Sequence, residues 1–162
     1  MANAPKPSLE ITGLVRGGRA AFDRAALARL EAGAQIADVG TLVAKKQGRA
    51  VRLAALARAV GCDTQSARFL HILSSDAGFA VSVPLDEVLE SAVIVYELGR
   101  DALPDAKGGP FRLLAVGHPD ECVSVKALAR LTFAAEPGPD TRPTNDEEHR
   151  RLHERARAKS QS

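Results

Sequence analysis

The apolar residues of this chain come in short runs, each closed by glycine, proline or a polar turn, and that spacing constrains the fold more than any other feature. Leu9, Ile11 and Leu14 open a short strand that the Gly17–Gly18 pair ends. Phe22–Ala32 is predicted as a helix, with Asp23 as its cap, Phe22 and Leu27 as a hydrophobic staple and Gly33 as its stop. Ile36–Val43 reads as a second strand interrupted by Gly40, followed by the polar turn Lys45-Lys46-Gln47-Gly48. Over Val51–Val60, Leu53, Leu56, Ala57 and Val60 share one helical face, and Gly61 ends that helix. Phe69–Leu73 and Phe79–Val83 are predicted strands around the Asp76-Ala77-Gly78 turn, and Pro84–Ser91 is a short helix or turn. Val93–Leu98 and Phe111–Val116 are strands separated by the Gly99–Pro110 loop, and Leu128–Ala134 is the last strand. Many short strands with a few short helices define an α+β class, not the regular alternation of a doubly wound sheet.

The same punctuation sets the domain organisation. Residues 1–8 are small, polar and proline-bearing and read as a flexible lead-in. Residues 9–135 form one domain, and 136–143 (EPGPDTRP) have linker composition. Residues 144–162 are predicted as a charged helical tail. Thr144 and Glu147 make a capping box, and Asp146–Arg150 and Glu147–Arg151 are favourable i,i+4 pairs. With Leu152 as its main apolar residue, this helix is expected to stay exposed or to dock on a protein partner.

Composition narrows the function. At 162 residues the chain can bury about 70% of the surface its unfolded form exposes, so it needs no disulfide or structural metal to fold. The 22 basic and 20 acidic residues leave a net charge of +2, which argues against a nucleic-acid binder. Aromatics are 4% of the chain, with no Trp and with Tyr96 as the one Tyr, so base-stacking platforms are not expected. The first residues, MANAPKPSLE, contain no apolar core of a secretory signal, and no apolar run approaches the roughly 18 residues of a membrane span. Cys62 and Cys122 lack CxxC spacing and suit a reducing compartment, so a cytoplasmic location is the expectation.

Common catalytic signatures are missing. No phosphate-binding P-loop, dinucleotide fingerprint, nucleophile elbow or HExxH occurs. His149 and His153 have the i,i+4 spacing of a zinc pair, but on an exposed helix with no third ligand nearby a solvated pair is the simpler account. His71 falls within a predicted strand and is expected to be an inward-facing, hydrogen-bonded core residue. His118 lies in the Gly117–Pro119 turn, where a ring reaches a cleft or merely closes the turn. Cys62 reads as a small buried residue, and Cys122, in a loop, as the better candidate for reactivity of the two, although nothing adjacent lowers its pKa.

The informative segment is Val93–Phe133, VIVYELGRDALPDAKGGPFRLLAVGHPDECVSVKALARLTF. In order it carries Tyr96-Glu97-Leu98, Leu103-Pro104, Gly108-Gly109-Pro110, Phe111-Arg112-Leu113 and Ser124-Val125-Lys126. This order resembles the molybdopterin-binding domain of the sulfite oxidase family. Upstream, Gly48-Arg49-Ala50-Val51-Arg52-Leu53, Asp76-Ala77-Gly78-Phe79 and Val83-Pro84-Leu85 match the family more loosely, so the resemblance spans roughly residues 9–134. It implies a sulfite-oxidase-like mixed fold around a molybdopterin pocket.

The resemblance also implies roles. Ser124 and Lys126 occupy the positions that hold a cofactor phosphate in relatives, an ammonium and N–H groups making an anion site. Arg112 either faces the pocket or pairs with a residue such as Glu97, and His118 joins the candidate cofactor-binding set. Where catalytic members place their molybdenum-ligand cysteine, this chain reads Thr41-Leu42-Val43-Ala44-Lys45-Lys46-Gln47, with no Cys, Asp or Ser. Lys45 and Lys46 suit an anion there, although exposed turn lysines are the plainer account. The expectation is therefore an oxidoreductase-like domain with a degenerate metal site that binds a pterin or another small anionic ligand. The alternative is a non-catalytic ligand- or protein-binding module that retains only the fold.

Overall fold

Leu9 and Ile11 are fully buried while the alternating Glu10 and Thr12 reach solvent, the two-residue period of a strand with one covered face. That period recurs through the computed structural model of the chain, which describes residues 6–76 and 79–142. In chain order the regular elements are β1 (Leu9–Gly13), β2 (Arg19–Phe22), α1 (Arg24–Ala28), β3 (Gln35–Ile36), β4 (Arg49–Arg52) and α2 (Leu53–Ala59). They continue with β5 (Phe69–Ser74), β6 (Ala80–Pro84), β7 (Ala92–Leu98), β8 (Asp101–Ala102), β9 (Arg112–Ala115) and β10 (Leu128–Ala134). The predicted tail helix, with its His149/His153 pair, and the tip of the β5–β6 turn lie outside the described residues.

Two sheets share one core. The first has the order β2-β1-β10-β5-β6, in which the two ends of the domain meet as the parallel pair β1 and β10. The second has the order β3-β4-β7, and the far side of β7 pairs with β9 along Ala92–Val95 and with β8 at Glu97–Leu98. Leu9, Ile72, Leu131 and Phe133 of the first sheet join Val51, Ile94, Tyr96 and Leu113 of the second and Leu53 and Leu56 of α2 in the main core. The opposite face of the second sheet is covered as well. Val93 and Val95 of β7 pack there with Val39, Ala50, Leu103 and Leu114. Residues Ala92–Tyr96 are consequently buried on both sides, as the unbroken apolar run suggests.

Several elements differ from the sequence expectations, each for a tertiary reason. The predicted helix Val51–Val60 begins only at Leu53, because Arg49–Arg52 pairs with β7 as a strand. The predicted strand Ile36–Val43 is reduced to Gln35–Ile36. Asp38 accepts a hydrogen bond from the Gly40 N–H at 2.9 Å and turns Val39–Thr41 into a 3-10 coil. The helix after Asp23 is shorter than expected, though Asp23 caps it by accepting from the Ala26 N–H at 2.8 Å. The edge strand β2 has no counterpart in the sequence reading. His71 is hydrogen-bonded as expected but does not face inward. Leu70, Ile72 and Ser74 take the buried side of β5, and His71 lies on the other side with its Nε2 2.8 Å from the Glu136 carbonyl oxygen.

Residues 136–142, of linker composition, run along the edge strand β6. Gly138 N–H donates to Ser82 Oγ at 3.0 Å, and Thr141 N–H to the Ala80 carbonyl at 2.8 Å. Arg142 closes this strap with bonds to Asp140 (2.6 Å), Asp120 (3.1 Å) and the Ser82 carbonyl (2.9 Å). The edge of the first sheet is thereby covered.

Candidate functional site

The outer face of the second sheet carries the site. Across the β7–β9 ladder, Val93 stands opposite Leu114 and Val95 opposite Arg112. Alternation therefore puts Arg112 in the same outward row as Leu114, at the strand end where the apolar cover stops. There a cleft of about 290 Å³ opens over a floor of Val95, Leu98, Leu103 and Leu114. Lys45, Lys46 and Gln47 enter from the β3–β4 loop, Lys107 from the turn after β8, and Lys126 from the segment before β10. Five cationic side chains thus converge on one small cleft of a nearly neutral chain.

The backbone around the cleft is unusual in a consistent way. Among the described residues, the non-glycine positions with positive φ are Lys45 (+67°) and Ala127 (+50°), one a cleft lysine and the other next to Lys126. Left-handed backbone costs an L-residue about 1–2 kcal/mol, and such strain gathers where a site must be shaped. Gly109 meets a different constraint, since a Cβ there would run into the Leu103 carbonyl oxygen, so only glycine lets the Leu103–Gly109 turn close. Ala127 N–H donates to the Gly108 carbonyl at 2.8 Å and ties that turn to the Lys126 segment.

The electrostatics follow from this crowding. Burial holds Lys46 below the usual lysine pKa, and Arg112, Lys126 and Lys107 push the same way against an opposing pull from Glu121. Burial also lowers Arg112, which nonetheless stays charged. Arg112 donates through one terminal nitrogen to the Lys107 carbonyl at 3.3 Å, while its Nε is buried with no hydrogen-bond partner. Glu121 is the carboxylate whose charge acts on Lys46 against these cations. Glu97, the partner considered for Arg112, instead lies 3.7 Å from Arg24. A buried cationic donor without an acceptor is the donor chemistry of a site for a multivalent oxyanion.

Of the four candidate residues, the cleft brings together Arg112 and Lys126. Ser124 does not line it, and its Oγ accepts the Ala115 N–H at 2.9 Å. His118 does not line it either. Its side chain is 8% exposed, with Nε2 2.8 Å from Glu87 Oε1 and Nδ1 accepting the Asp120 N–H at 3.0 Å. Lys107 went unread in the sequence, although it sits inside the informative segment beside the glycine pair. Neither cysteine lines the cleft. Cys62 packs against the main core with its thiol raised by burial, and burial and Asp120 push buried Cys122 up to about 11. No group of three or more metal-ligating side chains occurs among the described residues.

A domain of one mixed and one antiparallel sheet, with an electropositive cleft at the strand ends, is the class that fold and site define. The chain belongs to the oxidoreductase molybdopterin binding domain family, whose pattern residues 9–141 match. No curated protein matches it. Among solved structures it is similar to the sulfane dehydrogenase SoxCD from Paracoccus pantotrophus, with a TM-score of 0.60 and 20% identity. That match covers 81% of this chain and 39% of the SoxCD chain, so it shows the fold and spans well under half of that longer protein. The expected α+β, sulfite-oxidase-like architecture is the observed one. No helix among the described residues is long and apolar enough to cross a membrane.

Proposed function

We propose that the cleft binds the phosphate-bearing end of a molybdopterin-type cofactor, or another small anion of the same chemistry, without a protein thiolate on the metal. One observation carries this reading: Lys45, Lys46, Lys107, Arg112 and Lys126 converge on one cleft around a buried Arg112 Nε that has no hydrogen-bond partner. Arg112 and Lys46 hold the anion at the floor, and the more exposed Lys45, Lys107 and Lys126 close over it. Val95, Leu98, Leu103 and Leu114 give an apolar wall to the organic part. These residues fit a phosphate, and their donor set of ammonium and guanidinium groups does not fit a metal cation. When bound, a molybdopterin supplies the redox centre, and the chain's own residues supply anchoring and charge.

The second reading, a non-catalytic ligand-binding module, draws on the position of the two cysteines away from the cleft. Native mass spectrometry and elemental analysis of protein from a cofactor-producing host separate the two. A bound phosphorylated pterin with molybdenum supports an oxidoreductase role. A different phosphorylated ligand without molybdenum supports the module. Protein free of any bound anion, and not stabilised by added phosphate, overturns both.

A further inference from the structure

The five cations of the cleft fall into two stations, and strand order separates them. Ala50 of β4 and Arg112 of β9 stand opposite Val95 on its two sides, so the strands run β4-β7-β9 under the cleft. Neighbouring strands lie about 4.8 Å apart, which puts the β4 and β9 backbones about 10 Å from each other. Lys45 and Lys46 belong to the β4 side, in the loop that leads into that strand. Lys107, Arg112 and Lys126 belong to the β9 side, where Arg112 donates to the Lys107 carbonyl at 3.3 Å and the stems of Arg112 and Lys126 flank Gly108. Each station has the same make-up. One cation is half-buried, Lys46 or Arg112, and its companions are exposed, Lys45 on one side and Lys107 with Lys126 on the other. Backbone fixes the lysine loop against the sheet. Val39 N–H donates to the Gly48 carbonyl at 2.8 Å, and a Cβ on Gly48 would come within 2.8 Å of both Val95 Cγ1 and the Glu97 carbonyl oxygen.

We infer that the cleft takes a diphosphate group, with one phosphate at Arg112, Lys107 and Lys126 and the other at Lys45 and Lys46. This rests on the anion-binding reading of the cleft. Charge argues for two phosphates over one. A phosphate monoester carries about −1.5 to −2 at neutral pH and so matches about two of the five cations. Glu121, whose charge acts on Lys46, offsets one more. A single phosphate therefore leaves like charges facing one another across the floor, and a second phosphate removes that repulsion. Space agrees with charge. At about 290 Å³ the cleft lies at the lower end of small-molecule pockets, about 300–1,000 Å³, and has room beyond one phosphate. The buried Arg112 Nε supplies a donor for the inner phosphate, and the apolar residues Leu98 and Leu103 remain for the group that the diphosphate carries.

The test titrates the full chain by calorimetry with inorganic phosphate, pyrophosphate and citrate, at matched ionic strength and without divalent cations. Citrate carries its charge on carboxylates and controls for charge alone. Pyrophosphate is expected to bind one per chain and about tenfold tighter than phosphate, the worth of a further charge-assisted hydrogen bond. Citrate binds no tighter than phosphate. In the double variant Lys45→Gln/Lys46→Gln the preference for pyrophosphate over phosphate falls to about twofold, whereas Lys126→Gln weakens both anions and keeps the preference. Lys45→Gln alone, at an exposed position, lowers the preference in the same direction and serves if the double variant does not fold. Equal affinity of the wild-type chain for phosphate and pyrophosphate overturns the inference and leaves the anion site standing. Citrate as tight as pyrophosphate, or a preference that survives loss of both loop lysines, overturns it as well. A wild-type chain that binds none of the three sinks the anion site itself.

Discussion

Arg112 and Lys126 flank Gly108, the Cδ of one and the Cγ of the other each 3.0 Å from where a Cβ on that glycine would stand. Gly108 also sits at φ +89°, so it combines left-handed backbone with a close approach of two cationic stems. Gly108→Ala forces both stems outward and strains the turn. The expected outcome is destabilisation by about 1–2 kcal/mol in chemical denaturation. Stabilisation by phosphate falls with it, because the two cations no longer meet the same oxyanion. A variant of unchanged stability and phosphate response would show that the glycine does not space them.

Tyr96 is fully buried, and its hydroxyl donates to Gln35 Oε1 at 2.6 Å. The amide nitrogen of Gln35 in turn donates to the Leu27 carbonyl at 2.9 Å and the Leu30 carbonyl at 3.3 Å. One side chain therefore ties the end of α1 to the central strand of the second sheet. Tyr96→Phe leaves the Gln35 oxygen without its donor, and urea unfolding is expected to show a loss of about 1–3 kcal/mol.

The strands β5, β6, β7 and β10 were legible because each has apolar runs that neighbouring strands bury in register. The edge strand β2 was not, since Arg19-Ala20-Ala21-Phe22 carries no β-branched residue and is a strand only through its pairing with β1. Val51 and Arg52 misled in the opposite sense. Their apolar run continues into α2, and only the pairing with β7 decides that they are extended. Of the site, Arg112 and Lys126 were legible from the motif order. Lys107 was not, because its meeting with the Lys45–Gln47 loop is a long-range contact that spacing along the chain does not encode. His118 and Ser124 carried the right chemistry, but Glu87, Asp120 and Ala115 occupy their polar atoms locally.

The strap along β6 is expected to loosen in acid. Burial works to raise Asp140, yet hydrogen bonds from Arg142 and the backbone outweigh it and hold the carboxyl below the usual range. A carboxyl lowered by folding contributes stability above its unfolded pKa, about 3.9, and loses that contribution as pH falls through the lower folded value. Arg142→Ala removes both ion pairs and the bond to the Ser82 carbonyl. It is expected to destabilise the domain by about 1–2 kcal/mol at neutral pH and to flatten the acid limb of stability against pH. An unaltered acid limb would exclude Asp140 as its source.

At the alkaline end Cys122 sets the direction. Burial and then Asp120 push its thiol up to about 11. A group whose pKa is raised by folding stabilises fully below its unfolded value, near 8.5 for a thiol, and the contribution is lost as pH rises through the folded value. Stability is therefore expected to decline between about pH 8.5 and 11. Cys122→Ala should flatten that limb more than Cys62→Ala, whose thiol is raised in the same direction. In the folded wild-type chain, iodoacetamide should modify Cys122 far more slowly than a free thiol at pH 8, because the reactive thiolate is scarce and buried.

Lys126 offers the sharpest separation of function from stability. Its side chain is exposed, and it adds to a cluster of like charges that repel one another. Lys126→Ala is expected to leave stability without added anion within about 0.5 kcal/mol of wild type, or slightly raise it. In phosphate the order reverses. A lost charge-assisted hydrogen bond is worth about 1.5–3 kcal/mol, which is roughly ten- to a hundredfold in phosphate affinity. Thermal unfolding in phosphate and in chloride at matched ionic strength reads both effects, since a ligand bound only by the folded state raises stability as its concentration passes its Kd. Wild type should gain more from phosphate than from chloride, and Lys126→Ala should lose most of that difference. If the variant keeps the whole phosphate increment, Lys126 does not touch the anion, and the cleft holds its ligand through the other four cations.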